Sequence, residues 1–166
     1  MFFNTKTVQQ VAALPFVALG DRVEVLLVTS RHGGRWLLPK GWPDGREPFA
    51  AAAAREALEE AGVVGAVHAE SIGDYTYTKS MPAGYQVRSH VFVYPLRIHE
   101  HRLDWPERDE RRCRWAGLDE AASLVGDRGL ARLLKNLSHS GDDVLRNALA
   151  DIHADMTAPH EHAPNG

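Results

Sequence analysis

Three glutamates, Glu56, Glu59 and Glu60, crowd the end of an alanine-rich stretch, "AAAAAREALEEAGV", at residues 50–63 of the chain. A helix advances about 100° per residue, so positions i, i+3 and i+4 share one face. Like charges at those spacings cost roughly 0.2–0.5 kcal/mol per pair, and a helix C-terminus disfavours anions by a similar amount. A solvated acidic face is the plain explanation. The alternative is chemical. Carboxylate oxygens converging on one point make a seat for a hard divalent cation, Mg²⁺ or Mn²⁺. Such an ion can bridge phosphate oxygens and activate a water. A local rule broken at a cost is where a functional site is expected.

The elements that must position these groups are legible on either side. "VQQVAALPFVAL" and "VEVLLVTS" are rich in Val and Leu and are split by the turn pair Gly20-Asp21, which predicts two strands. A loop containing a short strand at 36–38 leads to a helix over 48–61. Pro48 suits its first position and Gly62 its C-terminal cap. Strands are expected within 63–77 and 86–98, with "TKSMPAGYQ" as the loop before the second. "RRCRWAGL" predicts a short strand running into a helix at 119–125, "GLARLLKNLS" is amphipathic, and "DDVLRNALADIHAD" extends the helical region. The final "MTAPHEHAPNG" has no periodicity and reads as a disordered tail. Strands, helix, strands, then helices make an α+β domain over 1–140, with 141–166 as extension and tail.

Composition narrows the function classes. A chain of 166 residues, 44% hydrophobic and 25% charged, suits one soluble globular domain. A net charge of -3 argues against a nucleic-acid binder. No apolar run approaches the roughly 20 residues that span a bilayer, and the N-terminal stretch lacks a signal peptide's pattern. Cys113 is the sole cysteine, so no internal disulfide forms and a reducing, cytoplasmic setting is expected. An isologous homodimer would be unsurprising on base rates alone.

The neighbours of the glutamates decide between the two readings. Gly41 is followed after five residues by Glu47, and after seven more by Arg55-Glu56-Ala57-Leu58-Glu59-Glu60-Ala61-Gly62-Val63. This resembles the box of the Nudix hydrolases, Gly-x5-Glu-x7-Arg-Glu-U-x-Glu-Glu-x-Gly-U with U aliphatic, and every fixed position is met. Fixed residue types at several per cent usage each make a chance match rarer than about one in ten million per start site. The resemblance implies a Nudix fold, a mixed sheet sandwiched between helices. It also implies Mg²⁺- or Mn²⁺-dependent cleavage of a nucleoside diphosphate-linked substrate or a related pyrophosphate. It makes Glu56, Glu59 and Glu60 the metal ligands, with the carbonyl of Gly41 as a further one. Arg55 would orient the glutamates, Glu47 would partner Arg55 or make an outer metal contact, and Glu59 or Glu60 would be the general base.

Pieces outside the box extend the likeness to about residues 8–137. "RWLLPKG", Ser30-Arg31-His32, Asp104-Trp105 and "RRCRWAGLDEA" resemble the diadenosine polyphosphate and diphosphoinositol polyphosphate phosphohydrolase subgroup. The loop "WPDGRE" departs from the pattern, with Pro43 and Asp44 where an acidic residue usually comes sooner. A highly phosphorylated substrate needs cations facing the acidic helix. The candidates are Lys40, Arg31, His32, Arg35, Lys79 and Arg88, each of which could equally be a solubilising surface charge. Tyr75, Tyr77 and Tyr85 could stack on a base or merely pack on an edge strand. His68, His90, His99 and His101 have no ligand spacing. Trp36 and Trp115 read as sheet residues and Trp105-Pro106 as a loop anchor, while the tail histidines His153, His160 and His162 could scavenge metal.

Two function classes follow. One is a pyrophosphohydrolase acting on a small phosphorylated substrate. The other is a Nudix-like module that senses a nucleotide without cleaving it. The intact box favours the enzyme, because a sensor does not need all three helix glutamates.

Overall fold

The computed structural model describes residues 5–31, 34–140, 144–148 and 150. Its centre is a parallel pair of long strands, β1 (Thr5–Leu19) and β7 (Gln86–His101), in register from Thr5↔Gln86 to Phe16↔Arg97. Both are buried on two faces. In β1, Val11 and Ala13 point to one side while Ala12, Leu14 and Phe16 point to the other, which explains the unbroken apolar run of the sequence. β2 (Arg22–Thr29) pairs antiparallel with β1 across the Gly20-Asp21 turn, where Gly20 has a φ of 63°. β3 (Trp36–Leu37) and β8 (Cys113–Gly117) flank β2. β5 (Val63–Val67) and β6 (Gly73–Ser80) both pair with β7, and β4 (Lys40–Gly41) pairs with β1.

Helices cover both faces of this mixed sheet. α1 (Phe49–Ala61) packs through Ala52, Ala53, Ala57 and Ala61 against Val11, Ala13, Leu26, Tyr94 and Leu96. Alanines leave no bulk between helix and sheet, so the helix lies close. α2 (Leu118–Leu124) and α3 (Arg128–His139) cover the other face with Leu118, Ala121, Leu130, Leu134 and Leu137. Asp127 caps α3 by accepting from the Leu130 N–H at 3.0 Å. Helical backbone resumes at 144–148, and Leu145 joins the same core, so the extension is docked there.

The expected strands and helices are present, with three differences. Pro48 is the N-cap of α1 rather than its first residue, with a ψ of 143°. β4 is additional, because two residues carry no periodicity. Lys79 lies within β6, not in the following loop, because pairing with β7 continues to Ser80↔Gln86. The expected tail, including His153, His160 and His162, lies outside the described residues.

Candidate active site

The alanine contact brings α1 down onto the sheet with its glutamates at the edge of β4. Pairing of β4 with β1, at Val11↔Gly41 and Ala12↔Lys40, holds Gly41 against the helix. The Glu56 carboxylate lies where a Cβ on Gly41 would stand, so any other residue there would displace Glu56. The Lys40 backbone N–H donates to Glu60 Oε2 at 3.2 Å. Glu56 and Glu60 are buried, at 9% and 5% exposure, whereas 41% of the Glu59 side chain reaches solvent.

Burial without full compensation makes these acids reluctant anions. Desolvation raises the Glu56 pKa, aided by the charge of Glu59 and opposed by Arg55. Desolvation pushes Glu60 up to about 7 against the opposing pull of Arg111 and the Lys40 N–H. Arg55 Nε donates to both Glu47 oxygens at 3.1 and 3.2 Å, and its Nη1 lies 3.0 Å from Glu56 and 3.5 Å from Glu59. Its Nη2 donates to the Trp42 carbonyl at 3.2 Å. Burial disfavours the Arg55 cation, but Glu47, Glu56 and Glu59 outweigh it and raise its pKa. Across the cleft, Arg111 Nη2 stands 3.3 Å from Glu60 Oε1 and 3.2 Å from Glu107 Oε1, while its Nη1 donates to the Thr29 carbonyl at 3.0 Å. Arg31 is ion-paired to Glu107, and to Glu110 at 3.4 Å.

The carboxylates therefore do not yet converge. Among the described residues, no three or more His, Cys, Asp or Glu side chains form a group that could hold a metal ion as they stand. Arg55 is interposed between Glu56 and Glu59, and Arg111 pairs with Glu60, so internal guanidinium groups now offset the negative charge. The donor set itself is all oxygen, three carboxylates and the Gly41 carbonyl, and this suits a hard cation rather than a thiophilic one.

Two cavities meet at Lys40. The acidic one, about 650 Å³, is lined by the three helix glutamates, Gly41, Arg31, Arg55, Glu107 and Arg111. The other, about 260 Å³, is lined by Arg35, Lys79, Trp36, Tyr75, Tyr77 and Asp127, and shares Ser30, Leu37 and Lys40 with the first. Lys40 Nζ donates to Tyr77 Oη at 3.1 Å and lies 4.9 Å from the centre of its ring. Tyr77 in turn donates to Gln10 Oε1 at 2.7 Å. The ammonium is thus held at the junction of the two cavities.

The structure brings together Lys40, Arg31, Arg35 and Lys79 but not Arg88. Arg88 pairs with Thr78, while Tyr77 and Lys79 are on the alternate positions of β6, so Arg88 lies on the opposite sheet face. His32 lies outside the described residues. Tyr75 is buried in the core and Tyr85 is exposed near the β6–β7 turn, which leaves Tyr77 as the tyrosine poised between cavities. His90 pairs with Asp74, and His101 with a helix carbonyl. Gln10, Trp42, Glu107 and Arg111 were not among the residues expected at the site. The charge density of "PERDERR", with Glu107 and Arg111 at i,i+4, is the one local signal that points to two of them.

With this geometry in place, comparison with known proteins is informative. The NUDIX domain family matches residues 8–137, and the chain belongs to that family. It is 36% identical over 110 residues to Nudix hydrolase 18, mitochondrial, of Arabidopsis thaliana, covering 66% of this chain and 60% of that protein. It is 33% identical over 106 residues to diphosphoinositol polyphosphate phosphohydrolase 3-beta of Bos taurus, covering 61% and 60%. The chain thus spans about three fifths of the length of these two relatives. The crystal structure of an Ap4A hydrolase from C. elegans shares the fold, with a TM-score of 0.59 at 20% identity over 80% of this chain and 97% of that one. Among the described residues no helix is long and apolar enough to cross a membrane.

Proposed function

We propose that the protein is a Mg²⁺- or Mn²⁺-dependent pyrophosphohydrolase. Its substrate is a nucleoside diphosphate-linked or polyphosphorylated compound, with a diadenosine polyphosphate or an inositol pyrophosphate as the leading classes. The observation that carries this reading is the junction at Lys40, where an all-oxygen acidic cleft opens into a cavity bearing further cations. The likeness to proteins named as an Ap4A hydrolase and a diphosphoinositol polyphosphate phosphohydrolase supports the substrate classes.

Glu56, Glu59, Glu60 and the Gly41 carbonyl would hold the metal. A divalent ion bound there supplies charge neutralisation of the phosphate oxygens and a lowered pKa for an attacking water. The chain's own groups supply position. Glu47 fixes Arg55, and Arg55 braces Glu56 and Glu59. Glu59, open to solvent, or Glu60 accepts the proton of the nucleophile. Lys40, Arg35 and Lys79 bind phosphate oxygens along the second cavity, and Arg31 does so at the mouth of the first. The aromatic and aliphatic wall of Trp36, Leu37 and Tyr77 gives the remainder of the substrate a surface to rest on. Catalysis here is chiefly positioning and charge stabilisation, as in phosphoryl transfer generally. The partner is a small molecule.

The test is release of phosphate and pyrophosphate from diadenosine polyphosphates, ADP-ribose, nucleoside triphosphates and inositol pyrophosphates, with and without Mn²⁺ or Mg²⁺. Metal-dependent turnover of one class, lost in Glu59→Gln and Glu60→Gln, is the expected result. Binding of a panel member without turnover would instead establish the sensing module.

A further inference from the structure

The last turn of an α-helix leaves carbonyl groups without partners in the helix itself. At the end of α1 one crossing segment satisfies the carbonyls of Glu59, Glu60 and Ala61, together with that of the cap residue Gly62. The Glu107 N–H donates to Glu59 O at 3.1 Å, and Trp105 Nε1 donates to Glu60 O at 3.2 Å. His101 Nε2 donates to Ala61 O at 2.9 Å, and the Arg102 N–H to Gly62 O at 2.8 Å. The Trp105 ring lies directly over Gly62, where a Cβ would overlap it, and stacks at 5.4 Å on His101. The far end of the segment is pinned to β2 by two bonds with Thr29, from the Arg112 N–H to Oγ1 at 2.9 Å and from the Thr29 N–H to the Arg112 carbonyl at 3.0 Å.

A helix end frays unless something holds it. Here the end that would fray carries Glu59 and Glu60. We propose that Trp105 is a positioning residue: by clamping the last turn of α1, it holds in place the backbone from which Glu56, Glu59 and Glu60 would turn onto a divalent cation. Trp105 does not line the cleft and acts through the Glu60 backbone and Gly62. The inference rests on the proposed metal-dependent function.

The experiment uses Trp105→Phe in the full chain. This variant keeps an aromatic ring over Gly62 and removes the N–H that serves Glu60. Free Mn²⁺ is measured by electron paramagnetic resonance during titration, and amide exchange of residues 58–62 is followed in EDTA. The expected result is faster exchange in that turn and Mn²⁺ affinity weakened roughly threefold to tenfold, the value of one lost hydrogen bond. Turnover should recover at saturating Mn²⁺, a rescue that a general loss of folding would not show. Gly62→Ala, which displaces the same ring, should weaken Mn²⁺ binding in the same sense. A lowered melting temperature with unchanged Mn²⁺ affinity in Trp105→Phe would overturn the inference while leaving the proposed function intact. A wild-type chain that binds no Mn²⁺ would overturn both.

Discussion

The two cavities that meet at Lys40 are built on opposite plans. The acidic cleft draws three of its four carboxylates from one stretch of helix, at i, i+3 and i+4, and its glycine from the strand just before it. The second cavity collects Arg35, Lys79, Tyr77 and Asp127 from separate elements. The first is frustrated as it stands: it buries Glu56 and Glu60 and leans on Arg55 and Arg111 for relief. The second is at rest, with Lys40 hydrogen-bonded to Tyr77 and Tyr77 to Gln10. Frustration marks the place where a ligand is to supply the missing charge. A relaxed, preformed cavity marks the place where shape and fixed cations select what enters.

This contrast can be broken most severely at Glu60. Glu60→Gln preserves shape and removes one charge, and it should reduce turnover by about 10²-fold or more. Lys40→Met acts on the boundary between the cavities. The backbone bond to Glu60 stays, so metal affinity should hold while kcat/KM falls about 10- to 100-fold, the range of a charge-assisted contact. Steady-state kinetics at saturating Mn²⁺ reads both.

Acidity sharpens the comparison from another side. Glu60 is raised from 4.5 to about 7, so its protonated form stabilises the metal-free fold. That contribution is full below about 4.5 and is lost as pH climbs through about 7. Metal binding needs the anion, so Mn²⁺ affinity should fall about tenfold per pH unit below that point, with proton release on binding. Isothermal titration in buffers of different ionisation enthalpy reads the proton directly.

Two smaller effects test the scaffold. Ala57 is fully buried where α1 meets the sheet, and Ala57→Leu should destabilise by about 1–3 kcal/mol in urea unfolding. Arg88→Ala, on the sheet face away from Tyr77 and Lys79, should leave turnover unchanged and stability within about 0.5 kcal/mol.

The same contrast explains what could be read from the sequence. The three glutamates are legible because a helix turns local spacing into geometry, whereas Gly41, Glu47 and Arg55 join them through the resemblance to the Nudix box. The strands and helices followed from periodicity, and Gly62 from its place at the helix end. Gln10, Glu107 and Arg111 reach the site through pairings between residues far apart in the chain, such as Arg111 with Thr29, which no local pattern encodes. Arg88 was misplaced for a related reason. Its strand was recognised, but the face it occupies depends on register with β6. The guanidinium groups set among the glutamates were likewise only half visible: Arg55 is a local neighbour of Glu59, whereas Arg111 arrives from the far loop.

The central claim is that the acidic end of α1 is relieved by a divalent cation. The most direct measurement is the melting temperature of the full chain against Mn²⁺ concentration near pH 8, for the wild type and Glu60→Gln. A ligand that binds the folded state stabilises it in proportion to the logarithm of its concentration once above Kd. The account predicts a steady rise in the wild type and a flat response in the variant. No shift at millimolar Mn²⁺, or an equal shift in both, would contradict it.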